Sequence, residues 1–231
     1  MKVIVPLAGP DFIQKGGIVK SELLYSGEEI LHHILKKRSW YKDIPSENYI
    51  FIFIDDLLTR KFFNSKVTNW FPSSKAIFLS EYTKGAALTA LSGLLYCDED
   101  DQIIVDLADI DYDFFDYDSK TFLNLKQNDA LGLIFHSTNP VYSYLLFDKN
   151  GNFVKSAEKK VISKNASAGT YIFGSLNCYL TALIYSISNP EANTYNNLFY
   201  ICPLFNGIKE NNGKVYAISV DNVVDVKVNS K

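Results

Sequence analysis

The sequence predicts an α/β protein on a doubly wound, mixed but mainly parallel sheet (a Rossmann-like architecture) with a hairpin-bearing second half. Three observations carry that prediction. Short apolar runs alternate with longer segments of helical spacing four times in the first half, the pattern of right-handed βα crossovers. The first of these runs is apolar almost without interruption, as strands covered on both faces are. In the second half, strand-like runs flank Asp148-Lys149-Asn150-Gly151, a hairpin turn.

Each element follows from its residues. Lys2–Leu7 is the first strand, and Gly27–Trp40 carries Ile30, Leu31, Ile34 and Leu35 at helical spacing. Tyr49–Ile54 is the second strand, after which Asp55 or Asp56 caps a helix running towards Phe71. Pro72-Ser73-Ser74 breaks that helix before a third strand, Lys75–Leu79. Thr83 is the expected N-cap of a helix carrying Leu88, Leu91, Leu94 and Leu95, and Gln102–Leu107 is the fourth strand. Ala130–His136, Val141–Phe147, Phe153–Ala157 and Thr170–Phe173 read as further strands. A helix at Leu176–Ile187, a second at Phe199–Lys209 spanning Pro203, and a strand at Lys214–Val220 complete the chain. The polar stretch Asn193–Asn197 reads as a mobile loop.

Composition removes several classes of function. The 231 residues are 47% hydrophobic and 21% charged, as in ordinary folded domains. A net charge of −3 offers no basic face for nucleic acid or an anionic membrane. Cys97, Cys178 and Cys202 are too scattered for a zinc site or a disulfide framework, and each sits in an apolar run, which points to buried thiols in a reducing compartment. With neither a signal peptide nor an 18-residue apolar window, a cytoplasmic location is expected. Of the 23 basic residues only Arg38 and Arg60 are arginine, so phosphate chemistry here must lean on lysine and backbone N–H groups.

In open α/β sheets ligands gather beyond the carboxyl ends of the strands, and four clusters fall in such places. Leu7-Ala8-Gly9-Pro10-Asp11, then Lys15-Gly16-Gly17 and Lys20, follow the first strand; glycine lets backbone N–H groups approach a phosphate, and lysine adds charge. Thr83-Lys84-Gly85-Ala86-Ala87 opens a helix, where small residues serve close packing and close ligand approach alike. Asp109, in Val105-Asp106-Leu107-Ala108-Asp109-Ile110-Asp111, stands where a carboxylate could hold Mg²⁺ against phosphate oxygens, whereas Asp113, Asp116 and Asp118 read as solvated acids. Glu158-Lys159-Lys160 precedes Ala168-Gly169-Thr170-Tyr171-Ile172-Phe173. His32, His33 and His136 have no partner at ligand spacing and read as structural.

The run Lys20-Ser21-Glu22-Leu23-Leu24-Tyr25-Ser26-Gly27-Glu28-Glu29-Ile30-Leu31 resembles, without a gap, the K-P-L-x-x-V-x-G-x-P-I-L stretch of sugar-phosphate nucleotidylyltransferases, with Ser21 and Glu29 in place of the two prolines. Glu158-Lys159-Lys160 resembles that family's E-K-P, and Ala168–Phe173 its A-G-x-Y-x-F strand. The resemblance implies that Leu7, Ala8, Gly9, Asp11, Gly85 and Ala86 border the nucleotide, with Lys20 on its phosphates. It implies that Glu158 and Gly169 meet the sugar, that Lys159 holds its phosphate, and that Asp109 and Asp225 bind Mg²⁺, with Asp221 as a fallback for the second aspartate. The expected organisation is one domain over 1–231, with 1–128 binding nucleotide and 129–231 binding the sugar phosphate. The chain departs from the family at its G-x-G-x-R loop, where Gly9-Pro10-Asp11-Phe12-Ile13 lacks the second glycine and the arginine.

The implied reaction joins an NTP and a sugar phosphate, or a similar phosphorylated alcohol, to give an NDP-sugar and pyrophosphate for bacterial surface polysaccharide, by an enzyme that could be a homo-oligomer. Two alternatives stay open: a binding protein on the same fold with catalysis lost, and a related glycosyltransferase using Asp109-Ile110-Asp111 as its metal motif.

Overall fold

The structure is a computed structural model that describes residues 1–114 and 125–226; Asp116 and Asp118, read above as solvated, lie outside the described residues. Among the described residues no helix is long and apolar enough to cross a membrane.

The strands in chain order are β1 (Lys2–Pro6), β2 (Ile13–Gln14), β3 (Ile18–Val19), β4 (Leu24–Tyr25), β5 (Glu28–Glu29), β6 (Tyr49–Ile54), β7 (Lys75–Leu79), β8 (Ile103–Asp106) and β9 (Ile110–Asp113). They continue as β10 (Ala130–His136), β11 (Tyr144–Phe147), β12 (Phe153–Ala157), β13 (Asn165–Phe173), β14 (Thr194–Tyr195), β15 (Leu198–Phe199), β16 (Val215–Ser219) and β17 (Asp221–Asp225). A nine-stranded sheet runs β12-β11-β13-β8-β1-β6-β7, with β10 paired to β13 and β16 to β10. The block β8-β1-β6-β7 is parallel, and β13 joins it antiparallel to β8. Strand order reverses at β1, which lies between β6 and β8; the doubly wound, mixed sheet read from the sequence is therefore the observed one.

Burial on both faces explains the unbroken apolar strands. Val3, Val5, Phe51 and Phe53 face one core, while Ile4, Ile50 and Ile52 face the other. The first core is aromatic: Phe53 lies 5.7 Å from Phe12 and 6.1 Å from Phe62, and Phe51 lies 5.4 Å from Phe71 between ring centroids. On the other face the helices Ala86–Gly93 and Leu176–Ser188 meet, and the buried Tyr179 hydroxyl donates to the Ala87 carbonyl at 2.7 Å.

Several elements differ from expectation for local reasons. The first helix spans only Ile30–Lys36, because β4 and β5 pair as a hairpin just before it. Gly85, not Thr83, caps the helix at Ala86; the Thr83 hydroxyl instead bonds the Gly85 carbonyl at 3.0 Å and the Thr89 hydroxyl at 2.6 Å. The expected helix over 199–209 begins at Leu204, since Pro203 fits only at a helix start. The stretch Asn193–Asn197 is the end of a short helix followed by the β14–β15 turn, with Asn196 and Asn197 both at positive φ. Beyond the closing strand, β17 returns to pair antiparallel with β9. The free edge of β12 is covered by the helix Leu204–Glu210. There Asn206 exchanges two hydrogen bonds with the Ser156 backbone, and Lys209 Nζ donates to the Val154 carbonyl at 3.0 Å.

One ion pair sits inside the sheet's first core. Arg38 follows the first helix and reaches Asp106 at the end of β8, Nε to Oδ2 at 2.7 Å and Nη2 to Oδ1 at 3.1 Å, with both side chains at 0% exposure. Its Nη2 also donates to the Ile110 carbonyl at 3.1 Å, and its guanidinium lies 3.8 Å from the Tyr112 ring centroid. Burial alone would lower the Arg38 pKa; the charge and hydrogen bonds of Asp106, together with Tyr112 and Asp111, outweigh that and hold it above its ordinary value. Removing one partner leaves a buried, unpaired charge, so Arg38→Ala is expected to cost about 3–5 kcal/mol in urea unfolding. The paired change Arg38→Met with Asp106→Leu should cost clearly less than the single one; a loss below about 1 kcal/mol for Arg38→Ala would show that the pair does not hold this region.

Candidate functional site

A cavity of about 600 Å³ opens at the carboxyl ends of β1, β7 and β8. Leu7, Ala8, Gly9 and Asp11 line it from the segment after β1, with Lys20 beside them. Gly85 and Ala86 line it from the segment after β7, and Asp109 from the segment after β8. Lys159, far along the chain, completes the wall with Leu198 and Tyr200.

Local packing fixes each part. The segment after β1 turns through a Phe12 N–H to Gly9 carbonyl hydrogen bond of 3.1 Å, and the buried Phe12 ring plugs it into the aromatic core. This aims the Asp11 carboxylate at Lys20, whose Nζ stands 3.1 Å from Oδ2. Lys15 is exposed and does not line the cavity. Gly85 is obligatory for two reasons: its φ is +109°, and a Cβ there would stand 2.3 Å from the Phe199 carbonyl oxygen. The β14–β15 hairpin therefore lies directly on the Gly85 backbone, tied by a Phe199 N–H to Lys84 carbonyl bond of 2.8 Å.

Asp109 is presented by the Arg38–Asp106 pair. The Asp106 carboxylate accepts the Ala108 N–H at 2.9 Å, Ala108 takes φ +50°, and Asp109 follows into the cavity. On the other side the Val226 N–H donates to the Asp109 carbonyl at 3.3 Å, and Asp225 stands opposite Ile110 in register. Asp225 does not line the cavity, yet it comes close to Asp109: burial first, then the Asp225 carboxylate, push the Tyr142 phenol up to about 12, and Asp109 adds to the same effect. Gly169, at φ +77°, does not line the cavity either; a Cβ there would stand 3.0 Å from Asp109 Oδ1, so its bareness spares the Asp109 carboxylate. Two carboxylates suit a hard cation such as Mg²⁺. Among the described residues no group of three or more His, Cys, Asp or Glu converges on a metal position, so further ligands would have to be water or phosphate oxygens.

Asp111 is directed elsewhere. It is buried, 2.7 Å from Lys37 Nζ and 3.3 Å from His33 Nε2, so the Asp-x-Asp run does not assemble as one site. Asp221 stands opposite Asp113 in register, farther along β9 from Asp109 than Asp225. Glu158 accepts a short hydrogen bond from the Ser143 hydroxyl and lines a second cleft of about 610 Å³, which shares Lys159 with the first. Neither arginine reaches either cavity: Arg38 is buried on Asp106, and Arg60 pairs with Asp55 on the surface. His32 stacks on Trp70 at 4.9 Å. Cys178 and Cys202 are buried and Cys97 half-buried; burial pushes the Cys178 thiol up to about 12, as inert thiols require.

No family model matches the sequence, and no curated protein matches it. Solved structures do. A nucleoside-diphosphate-sugar pyrophosphorylase from Vibrio cholerae RC9 superposes with a TM-score of 0.79 at 22% identity, covering 97% of this chain and 95% of that one. A UDP-glucose pyrophosphorylase complexed with UDP-glucose gives 0.66 at 14% identity over 97% and 92%. The fold is that of the sugar-phosphate nucleotidylyltransferases. The inositol-1-phosphate CTP transferase from T. maritima shares it too, with a TM-score of 0.65 at 12% identity over 100% and 91%.

Within this nucleotidylyltransferase fold, sequence reasoning missed Tyr82, Leu198 and Tyr200, which line the cavity but carry no motif. The one available signal was Asn196-Asn197, a two-residue turn that brings Leu198 back over the cavity. Gly85→Ala is expected to cost about 1–3 kcal/mol, a fall in Tm of roughly 2–4 °C per kcal/mol. Gly27→Ala, at φ +84° but with open space around its Cβ, is the control, and its loss should be the smaller. Equal losses would show that strain alone, and not the hairpin's close approach, governs Gly85.

Proposed function

We propose that the protein is a Mg²⁺-dependent nucleotidylyltransferase, moving NMP from an NTP to a sugar phosphate or similar phosphorylated alcohol and releasing pyrophosphate. The observation that carries this is the single cavity at the ends of three parallel strands, where Leu7–Gly9, Lys20, Gly85–Ala86 and Asp109 meet Lys159 from the other half of the chain. It supports a two-substrate site, with 1–128 serving the nucleotide and 129–231 the acceptor. A cytoplasmic role in bacterial surface polysaccharide synthesis is the setting this reading implies, with homo-oligomerisation compatible with it.

An acceptor phosphate oxygen attacks the α-phosphorus in line, the bond from that phosphorus to the bridging oxygen breaks, and pyrophosphate leaves with the electron pair. Catalysis of this kind is mostly positioning and charge neutralisation. In this reading the backbone of Leu7 to Gly9, with Gly85 and Ala86, meets the base and ribose. Lys20 balances the α-phosphate and the departing pyrophosphate, Lys159 holds the acceptor's phosphate, and Glu158 and Gly169 meet its sugar. Asp109 and Asp225 would hold Mg²⁺, which supplies positive charge against the α-phosphate oxygens.

Two observations favour the second reading, a nucleotide- or sugar-phosphate-binding protein without turnover. Lys20 already holds a carboxylate, Asp11 at 3.1 Å, and no arginine lines the cavity among the described residues. A lysine is a point charge without the arginine fork, so a triphosphate must win Lys20 from Asp11.

Pyrophosphate release, screened across the common NTPs and a panel of hexose 1-phosphates and other phosphorylated alcohols, separates the two. The transferase requires both substrates, stops with EDTA, and falls by a factor on the order of 10³ in Asp109→Ala. Lys20→Ala with unchanged turnover would remove that lysine from its role. Silence across the panel, with nucleotide still raising Tm, would establish the binding protein instead.

A further inference from the structure

Lys159 has an unusual setting that its role in charge neutralisation does not require. It is exposed at the end of edge strand β12, yet its backbone takes φ +49°, a conformation that costs a non-glycine residue energy and that clusters at functional sites. Its ammonium lies 5.4 Å from the Tyr195 ring centroid and 5.9 Å from that of Tyr200. Both separations are within cation–π range. The two rings are themselves 6.5 Å apart at 66°, so ring and ring and ammonium form one cluster. A free lysine chain samples many rotamers at about 2 kcal/mol of entropy; here two half-buried rings restrict it at the boundary between the two clefts, which both include it.

We infer that Tyr195 and Tyr200 are positioning residues, a two-ring clamp that holds the Lys159 ammonium where the acceptor's phosphate must arrive. The inference rests on the nucleotidylyltransferase reading and deepens it. The clamp also has a fixed mount. Tyr195 belongs to the β14–β15 hairpin, Tyr200 directly follows it, and the hairpin lies on the Gly85 backbone through Phe199. The peptide that borders the nucleotide side of the cavity thus supports the rings that orient the acceptor's lysine. A half-buried network secures the other flank: Asn206 Nδ2 donates to Asn193 Oδ1 at 2.9 Å, just ahead of Tyr195, while Asn206 also bonds the Ser156 backbone of the strand that ends before Lys159.

The test is steady-state pyrophosphate release with NTP and hexose 1-phosphate varied separately. Tyr195→Leu and Tyr200→Leu should each raise the KM for the acceptor, on the order of tenfold; for Tyr195→Leu, whose ring lies outside the nucleotide cavity, kcat and the KM for NTP should stay within about twofold. Tyr195→Phe and Tyr200→Phe keep the rings and should restore wild-type values. In a Lys159→Ala background the leucine variants should add nothing, because their effect passes through the lysine. An acceptor KM unmoved by leucine, phenylalanine variants as impaired as leucine ones, or an undiminished effect in the Lys159→Ala background would each overturn the clamp. A second readout does not depend on turnover. In lysine-labelled protein the Lys159 ε-methylene signal, assigned by its loss in Lys159→Ala, should be shifted upfield by the rings and return towards the free-lysine position in the leucine variants. An unshifted signal in the wild-type protein overturns the clamp even if the enzyme is active. A shifted signal with no pyrophosphate release from any substrate pair overturns the functional reading instead; the clamp then stands or falls on whether glucose 1-phosphate, titrated by calorimetry, binds more weakly to the leucine variants.

Discussion

A guanidinium buried beside a sheet is costly to desolvate, and this chain accepts that cost at Arg38. The return is geometric. Arg38 holds both oxygens of Asp106 at the last residue of β8, and one of those oxygens takes the Ala108 N–H. The same Nη2 that bonds Asp106 also donates to the Ile110 carbonyl at the start of β9. The turn between those points is only Leu107-Ala108-Asp109, so its direction is determined from both ends. Every proposed duty of Asp109 depends on that turn, and so does the register of β9, which in turn receives β17 and Asp225. A hydrophobic pair of equal volume would fill the space without directing the chain.

The sheet translates this local order into a site. The parallel strands β1, β7 and β8 all end on one side, so the segments that follow them converge without any long-range design of the loops. That is why the residues after strands were legible from the sequence: their placement follows from topology once the apolar runs are recognised. The bounds of Tyr49–Ile54, Lys75–Leu79, Ala130–His136 and Phe153–Ala157 were legible for the same reason, each being a compact run between breakers.

What the sequence withheld was set by contacts between distant segments. The β9–β17 pairing joins two acidic, weakly apolar stretches whose partnership has no local sign, so the closeness of Asp225 to Asp109 came from motif order alone. Tyr195 and Tyr200 look like ordinary aromatic residues in sequence, and only the hairpin's docking on Gly85 brings them to Lys159. Helix ends were shifted by neighbours that periodicity cannot see: the β4–β5 hairpin shortens the first helix, and Pro203 delays the last one. The cavity's carboxylates, lysines and glycines were thus visible as chemistry, while the aromatic surfaces that orient them were not.

The covering of β12 bears on how the molecule behaves among copies of itself. A sheet edge with open backbone groups invites another strand, and growth along that direction is how globular sheets turn into fibres. On β12 the amide and carbonyl of Ser156 and the carbonyl of Val154 are already engaged by Asn206 and Lys209. A second chain arriving there would have to break native hydrogen bonds before making its own, and it would meet a lysine on the way. Loss of either helix side chain would uncover a template for strand addition close to Lys159, so colloidal behaviour and the integrity of the cavity's wall are guarded by the same few atoms.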